Sequence, residues 1–332
     1  MTTSRIASKV TSSAPDEPPP LLHGSCITTP ELRESWLADR RARLGASEAA
    51  VAVGLPGFET RLALYLRKTG QLPDDEAETA DQESLSRMRW GLRHEPTIAQ
   101  AYLDERGGTF VAEQLYCVSQ THPFMCATLD RVHQSGKIVE IKSTGERNAE
   151  RWGEPGTDEI PHVYLVQVLH QIHVSGIDEA DVAVLIGASD FRIYHVGRAG
   201  NERTIECIVD LEAEFMEHVR RRDPPAVDPR NDSNLMAYLY PEETGTVTLT
   251  EEQTAAWQDY ERYGASIKEL EGRRAAAKLV VAQAMANAAS GLLADGRTLT
   301  RKVVEVKESC VVRKAHRYPL FRIARAQKTF GV

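Results

Sequence analysis

Asp130, Glu140 and Lys142 lie together on one short stretch, LDRVHQSGKIVEIKS (129–143). The stretch reads as a strand, a tight turn at Gln134-Ser135-Gly136, and a second strand. In an extended chain, residues i and i+2 share a face. Glu140 and Lys142 therefore point together, and Ile141 points into the core. Asp130 returns near Glu140 across the hairpin. Two carboxylates and the backbone carbonyl of Ile141 form a hard oxygen set that suits Mg2+, and Mn2+ is expected to substitute. Lys142 beside them would orient or activate a water and offset phosphate charge. Together these groups could perform metal-assisted hydrolysis of a phosphodiester.

A second stretch competes for the role. Asp295, Glu305 and Lys307 repeat the spacing in DGRTLTRKVVEVK (295–307). Read alone, either triplet could be an amphipathic strand with a surface ion pair worth ~0–1 kcal/mol. The surroundings separate them. Asp130 follows the apolar run 124–129, FMCATL, where a carboxylate is costly unless it binds something. Asp295 sits in an Asp-Gly turn, an ordinary place for Asp. Downstream of Lys142, Tyr164, Gln167 and Gln171 fall at i, i+3 and i+7 and share one face of an apolar helix. Upstream, Glu95 lies on a helix between His94 and Pro96. The first hairpin is thus expected to be the centre.

These residues need elements to hold them. The patterning predicts helices over 31–56, broken at 44–47, and over 60–69. Residues 71–83 read as an acidic loop. A helix through RWGLRHEPTIAQAYLDERG ends at Gly107-Gly108. Strands follow at 109–119, 124–133 and 137–144, then a loop to 160, a helix over 161–175, strands at 181–187 and 191–196, and a helix over 206–222. This order predicts an α/β fold with a central mixed sheet flanked by helices. RRRDPPAVDPR (220–230) marks a domain edge. The expected organisation is a disordered arm over 1–26, a domain over 27–230 and an appendage over 231–332. The appendage should hold a long helix near 250–290 and a strand pair near 297–314.

A net charge of −8 leaves no global attraction for nucleic acid, so a nucleic-acid surface has to be local. Residues 296–328 supply one. Arg313 and Lys314 lie within it and are expected to meet DNA phosphates, with Glu305 and Lys307 alternating on an exposed basic strand. The cysteines are scattered without a CxxC pair, which fits reduced thiols in a cytoplasm and argues against a zinc ribbon. No apolar run is long enough for a membrane span, and the start has no secretory apolar region. His170 and His173, three apart, read as a polar helix face rather than a metal site. Trp90 and Trp152 read as core or loop anchors, with base stacking as the alternative.

Five motifs in order carry a resemblance. GASEAAVAVGL (45–55), RWGLRHEP (89–96), ATLDR (127–131), VEIKS (139–143) and YLVQVLHQ (164–171) resemble the YqaJ-type viral recombinase nucleases. These are relatives of lambda exonuclease with a PD-(D/E)xK restriction-endonuclease-like core. The resemblance spans about residues 35–220. It implies that Asp130, Glu140 and the Ile141 carbonyl hold the metal and that Lys142 is the catalytic lysine. It places Glu95 as the helix carboxylate completing the metal site and Gln167 as the glutamine that steadies it. Arg40 and Ser47 fall where such proteins contact a DNA phosphate, with Arg41 and Arg43 competing for the place of Arg40. Ala-Thr-Leu-Asp stands where Ser-Pro-Asp is commoner. The resemblance implies a Mg2+-dependent exonuclease acting 5′→3′ on double-stranded DNA ends for a single-strand annealing partner. It also implies a homo-oligomer, commonly a trimer. The alternatives are a structure-specific endonuclease or nickase on the same fold, and a non-catalytic DNA-binding accessory protein.

Overall fold

The computed structural model describes residues 24–27, 29–57, 59–72, 82–242 and 244–305. A seven-stranded mixed sheet organises the first of two compact units, which runs on to Pro241. Its strands are β1 (Ser25–Cys26), β2 (Leu44–Gly45), β3 (Phe110–Val118), β4 (Met125–His133), β5 (Ile138–Thr144), β6 (Glu179–Ile186) and β7 (Asp190–Gly197). The order is β1-β3-β4-β5-β6-β7, with β2 added to β4. The β3–β4, β4–β5 and β6–β7 pairs are antiparallel, and the β5–β6 and β2–β4 pairs are parallel. The predicted central mixed sheet flanked by helices is the architecture the chain adopts.

The helices are α1 (Pro30–Ala42), α2 (Ala46–Ala52), α3 (Arg61–Lys68), α4 (Gln82–Arg106), α5 (His162–Ser175), α6 (Glu202–Arg221) and the short α7 (Met236–Leu239). Thr29 caps α1 and Thr60 caps α3 through side-chain oxygens. Gly176, at φ 74, ends α5 in the left-handed conformation that glycine takes without strain. One core joins α2, α5 and α6 to β4 and β6, through Leu129, Val168, Leu169, Val182 and Ile208. A second lies at α4, where Ile98 and Tyr102 meet Val139, Ile141 and Ala183. The central strand β5 is therefore buried on both faces over its first four residues, Glu140 among them.

His170 is not on a solvent-facing polar surface. It is fully buried, and Nδ1 lies 2.9 Å from Glu212 Oε1 on α6. Nε2 lies 3.0 Å from the carbonyl of Cys126 on β4. Burial pulls the imidazole pKa down, but the Glu212 carboxylate outweighs it and the net shift is upward. A protonated His170 donates to both partners and ties α5, α6 and β4 together. His173 meets His122, with ring nitrogens 3.0 Å apart, and burial holds its pKa down to about 4.

Several expectations change. Ser25 and Cys26 pair with Tyr116 and Leu115, so the expected arm gives way to a strand before residue 26; residues 1–23 lie outside the described residues. The first unit continues past the expected edge at 230, because Leu235, Met236, Tyr238 and Leu239 pack on the cluster of α3 and Phe215. In the second unit, α8 (Glu251–Met285) starts at a Thr250–Gln253 capping box. It precedes a hairpin of β8 (Ser290–Leu292) and β9 (Thr298–Thr300). The strand pair thus falls earlier than 297–314, with Asp295-Gly296 at its turn. Glu305 lies in chain without strand pairing, and Lys307, Arg313 and Lys314 lie outside the described residues. Among the described residues no helix is long and apolar enough to cross a membrane.

The His170–Glu212 pair gives a test. Removing the carboxylate with Glu212→Leu leaves a buried group unpaired and should cost about 3–5 kcal/mol. The imidazole pKa is raised on folding, so its stabilisation is fully present below the unfolded value and is lost as pH rises through the folded one. Glu212→Gln should therefore destabilise more at pH 6 than at pH 9, as read by urea denaturation.

Candidate active site

The described ladder between β4 and β5 consists of Arg131–Val139 and Val132–Ile138. Continued, it would pair Asp130 with Glu140. Instead the strands part there. The N–H of Ile141 donates to Asp130 Oδ2 at 2.9 Å, so a carboxylate takes the bond a ladder carbonyl would accept. In an extended strand the N–H and C=O of one residue point to the same edge. The Ile141 carbonyl therefore also faces the fork beside Asp130. Beyond the fork β4 turns to its other partner, through Met125–Leu44 and Cys126–Gly45.

Glu140 is only 2% exposed and is held from three directions. Its Oε1 accepts from Lys142 Nζ and from Gln167 Nε2, each at 2.6 Å. Its Oε2 accepts from Gln171 Nε2 at 2.7 Å. Lys142 Nζ also donates to Gln167 Oε1 at 3.1 Å and lies 5.0 Å from the Tyr164 ring centroid. Tyr164 stacks on Trp152, which is buried against Tyr194. Trp152 is thus a core anchor, as the sequence favours. Trp90 is 52% exposed, is not in a core, and lies 5.6 Å from the His94 ring.

The electrostatics follow from this crowding. Burial, and then the neighbouring Glu140 charge, push the Asp130 carboxyl up to about 8, against the smaller opposing pull of Lys142. Burial alone would lower the Lys142 ammonium, but Glu140 and Asp130 overcome it and hold it above its usual value. Lys142 is therefore a fixed cation rather than a proton acceptor. Among the described residues no three His, Cys, Asp or Glu side chains converge as a metal cage. Two carboxylates and a carbonyl at an electrostatically strained fork still fit Mg2+, which keeps several waters and needs only one or two carboxylates.

Glu95 is on α4, directly before Pro96 within the helix. It sits near enough to push Asp130 upward, but its own partners are others. Its Oε1 accepts from Arg131 Nη1 at 2.8 Å and from Gln114 Nε2 at 3.1 Å. The sequence left both partners unassigned. Arg131 carried a signal, a charge beside Asp130 in an apolar run; Gln114 carried none.

Arg40 and Ser47 come together, with Arg40 Nη2 donating to Ser47 Oγ at 2.8 Å. Arg40 also lies over Trp36, and Trp36 Nε1 donates to Thr128 Oγ1 on β4 at 2.9 Å. Arg43 instead pairs with Asp39 and the Pro123 carbonyl. Beneath them, Lys68 meets Glu48 at 2.8 Å and donates to the carbonyl of Arg40. A cavity of about 520 Å3 lined by His122, His173, Glu206 and Asp210 includes none of the fork residues.

Residues 35–178 match the family model of the YqaJ-like viral recombinase domain, so the resemblance carried by the motifs holds over that stretch. The chain is 27% identical over 279 residues to the uncharacterized protein YqaJ of Bacillus subtilis (strain 168), covering 82% of this chain and 84% of that protein. Among solved structures it is similar to an alkaline exonuclease, LHK-Exo, from Laribacter hongkongensis. That match has 17% identity and a TM-score of 0.43, over 57% of this chain and 95% of the other. A phage-related exonuclease from Haemophilus somnus 129PT gives 14% identity and a TM-score of 0.35, over 54% and 96%. Both superpositions are loose.

Asp130 supplies a pH test. Its folded pKa is raised, so between about pH 4 and pH 8 the native state binds more protons than the unfolded one. In chelator, stability from this group falls as pH rises through that window. Asp130→Asn should flatten the loss of melting temperature between pH 6 and pH 9, and an unchanged slope would contradict the assignment.

Proposed function

We propose that this protein is a Mg2+-dependent deoxyribonuclease that resects linear duplex DNA 5′→3′ and leaves 3′ single strands. One observation carries the reading: Glu140 is buried and Asp130 half-buried at a strand fork, with Lys142 locked against Glu140 by Gln167. A chain that only binds DNA has no need to crowd together two carboxyls of which one ionises with difficulty. The YqaJ-like viral recombinase domain supplies the context of recombination.

Asp130, Glu140 and the Ile141 carbonyl would hold the cation, and Glu95 would add a carboxylate to it. When bound, the cation supplies Lewis acidity at the phosphoryl oxygens. Lys142, kept charged, orients the attacking water and offsets charge that develops on the phosphoryl group. Gln167 fixes the ammonium by accepting a hydrogen bond from it and fixes Glu140 by donating one to it. Arg40 and Ser47 form a donor pair for a phosphate near the end of the duplex, and Arg313 and Lys314 add backbone contacts. Assembly as a homo-oligomer, and a single-strand annealing protein as consumer of the product, complete the proposal. Mn2+ substitutes for Mg2+.

End-labelled linear duplex with Mg2+ tests the assignment. Glu140→Ala and Lys142→Ala should each lose about 100-fold or more of the cleavage rate. Glu305→Ala should stay within ~2-fold, because a single exposed charge acts weakly. Wild-type rates in the first two variants would sink the site. Covalently closed circular duplex should survive, and its cleavage would convert the reading to an endonuclease. Duplexes with 5′-phosphate and 5′-hydroxyl ends should be cut at different rates, and Arg40→Ala should narrow that difference.

A further inference from the structure

Glu95 is held in an unusual way. Both of its hydrogen bonds land on Oε1, from Arg131 and from Gln114. The Arg131 side chain is 9% exposed, and its Nη1 also donates to the Asp130 carbonyl at 2.7 Å. Arg131 thus spans from the helix carboxylate to the backbone of the fork. Its other acidic neighbour, Glu113, lies further off at 3.6 Å and is more exposed. Gln114 sits at φ 48 inside β3, a conformation that non-glycine residues rarely adopt. A left-handed residue in the middle of a strand survives where surrounding structure holds it, and such strain gathers at functional sites. Here it accompanies an amide placed on Glu95.

A buried cation next to a group of carboxylates competes with any divalent cation for their charge. We propose that Arg131 is the built-in counter-ion of Glu95 in the cation-free protein and sets the affinity of the fork for its divalent cation, with Gln114 as a second positioning residue. This rests on the nuclease reading for the cation site, and it adds a residue that tunes that site. Arg131 and Gln114 hold one oxygen of Glu95, which lies on α4 near enough to act on Asp130. When a cation is present, Glu95 divides its charge between the cation and Arg131. Arg131 is a positioning residue that acts through Glu95.

Calorimetric titration with Mn2+ alone, without DNA, tests this on the full chain, beside thermal melting in chelator and in Mn2+. Removing Arg131 leaves the Glu95 charge uncompensated. Arg131→Met should therefore melt lower in chelator, gain more from Mn2+ than wild type, and bind Mn2+ roughly threefold or more tightly. Arg131→Lys should fall between the two. In a Glu95→Gln background, Arg131→Met should no longer tighten binding. A purely structural Arg131 would lower the melting point and leave the Mn2+ affinity and increment unchanged, which overturns the inference. Should Arg131→Met fail to fold, Glu95→Gln decides. It removes the carboxylate through which Arg131 acts and should weaken Mn2+ binding about tenfold; unchanged affinity overturns the inference. Wild type that binds Mn2+ and cuts DNA, with no effect of Arg131, defeats this inference alone. Wild type that binds no Mn2+ defeats the site reading and this inference with it.

Discussion

Two carboxylates and one ammonium share a space too dry to solvate any of them well, and the rest of the first unit is arranged around that constraint. Asp130 meets it by holding on to its proton up to about pH 8. Glu140 meets it by taking bonds from Lys142, Gln167 and Gln171. The sheet meets it by parting, so that a side-chain carboxylate rather than a carbonyl takes the Ile141 N–H. A buried polar network of this kind is stable only when nearly every member is satisfied. Both glutamines therefore come from one helix, α5, whose other residues, among them Val168, Leu169 and Ile172, are anchored in the main core. His170 on the same helix extends that anchoring to α6 through Glu212.

The strands and the grouping of Asp130, Glu140 and Lys142 were legible because their signals are local. The strand-like runs set β3 to β7 to within a residue or two, and the glycines at 107–108 marked where α4 ends. The surroundings of Asp130 distinguished it from Asp295, and the structure shows why. Asp130 is enclosed at a fork, whereas Asp295 is an exposed turn residue paired with Arg297. The spacing of Tyr164, Gln167 and Gln171 also held: all three meet the Glu140–Lys142 group, one through its ring and two through their amides.

What was not legible depended on partners distant in sequence. The strand β2 is two residues long and exists because Leu44 and Gly45 meet Met125 and Cys126. No pattern in 44–45 announces this. The role of Gln114 depends on a left-handed backbone that propensity would place at a glycine. His170 read as polar surface because its partner lies 42 positions away on another helix. The same limit applied to the C-terminal hairpin. Alternating charges drew the strands toward 297–314, but the pairing is set by the Asp295-Gly296 turn and joins 290–292 to 298–300.

Gln167 carries a consequence of a different kind. Its amide donates to Glu140 and accepts from Lys142 in the same arrangement. A carboxylate of the same shape could accept but not donate, and would add a third negative charge. An ammonium could donate but not accept, and a hydrocarbon could do neither. Asparagine has the right polarity and is one methylene too short. Among side chains of this shape and length the amide alone both donates and accepts without a charge, although nothing about it is reactive. Drift at Gln167 is closed off by hydrogen-bond polarity, which is a tighter filter than size or hydrophobicity.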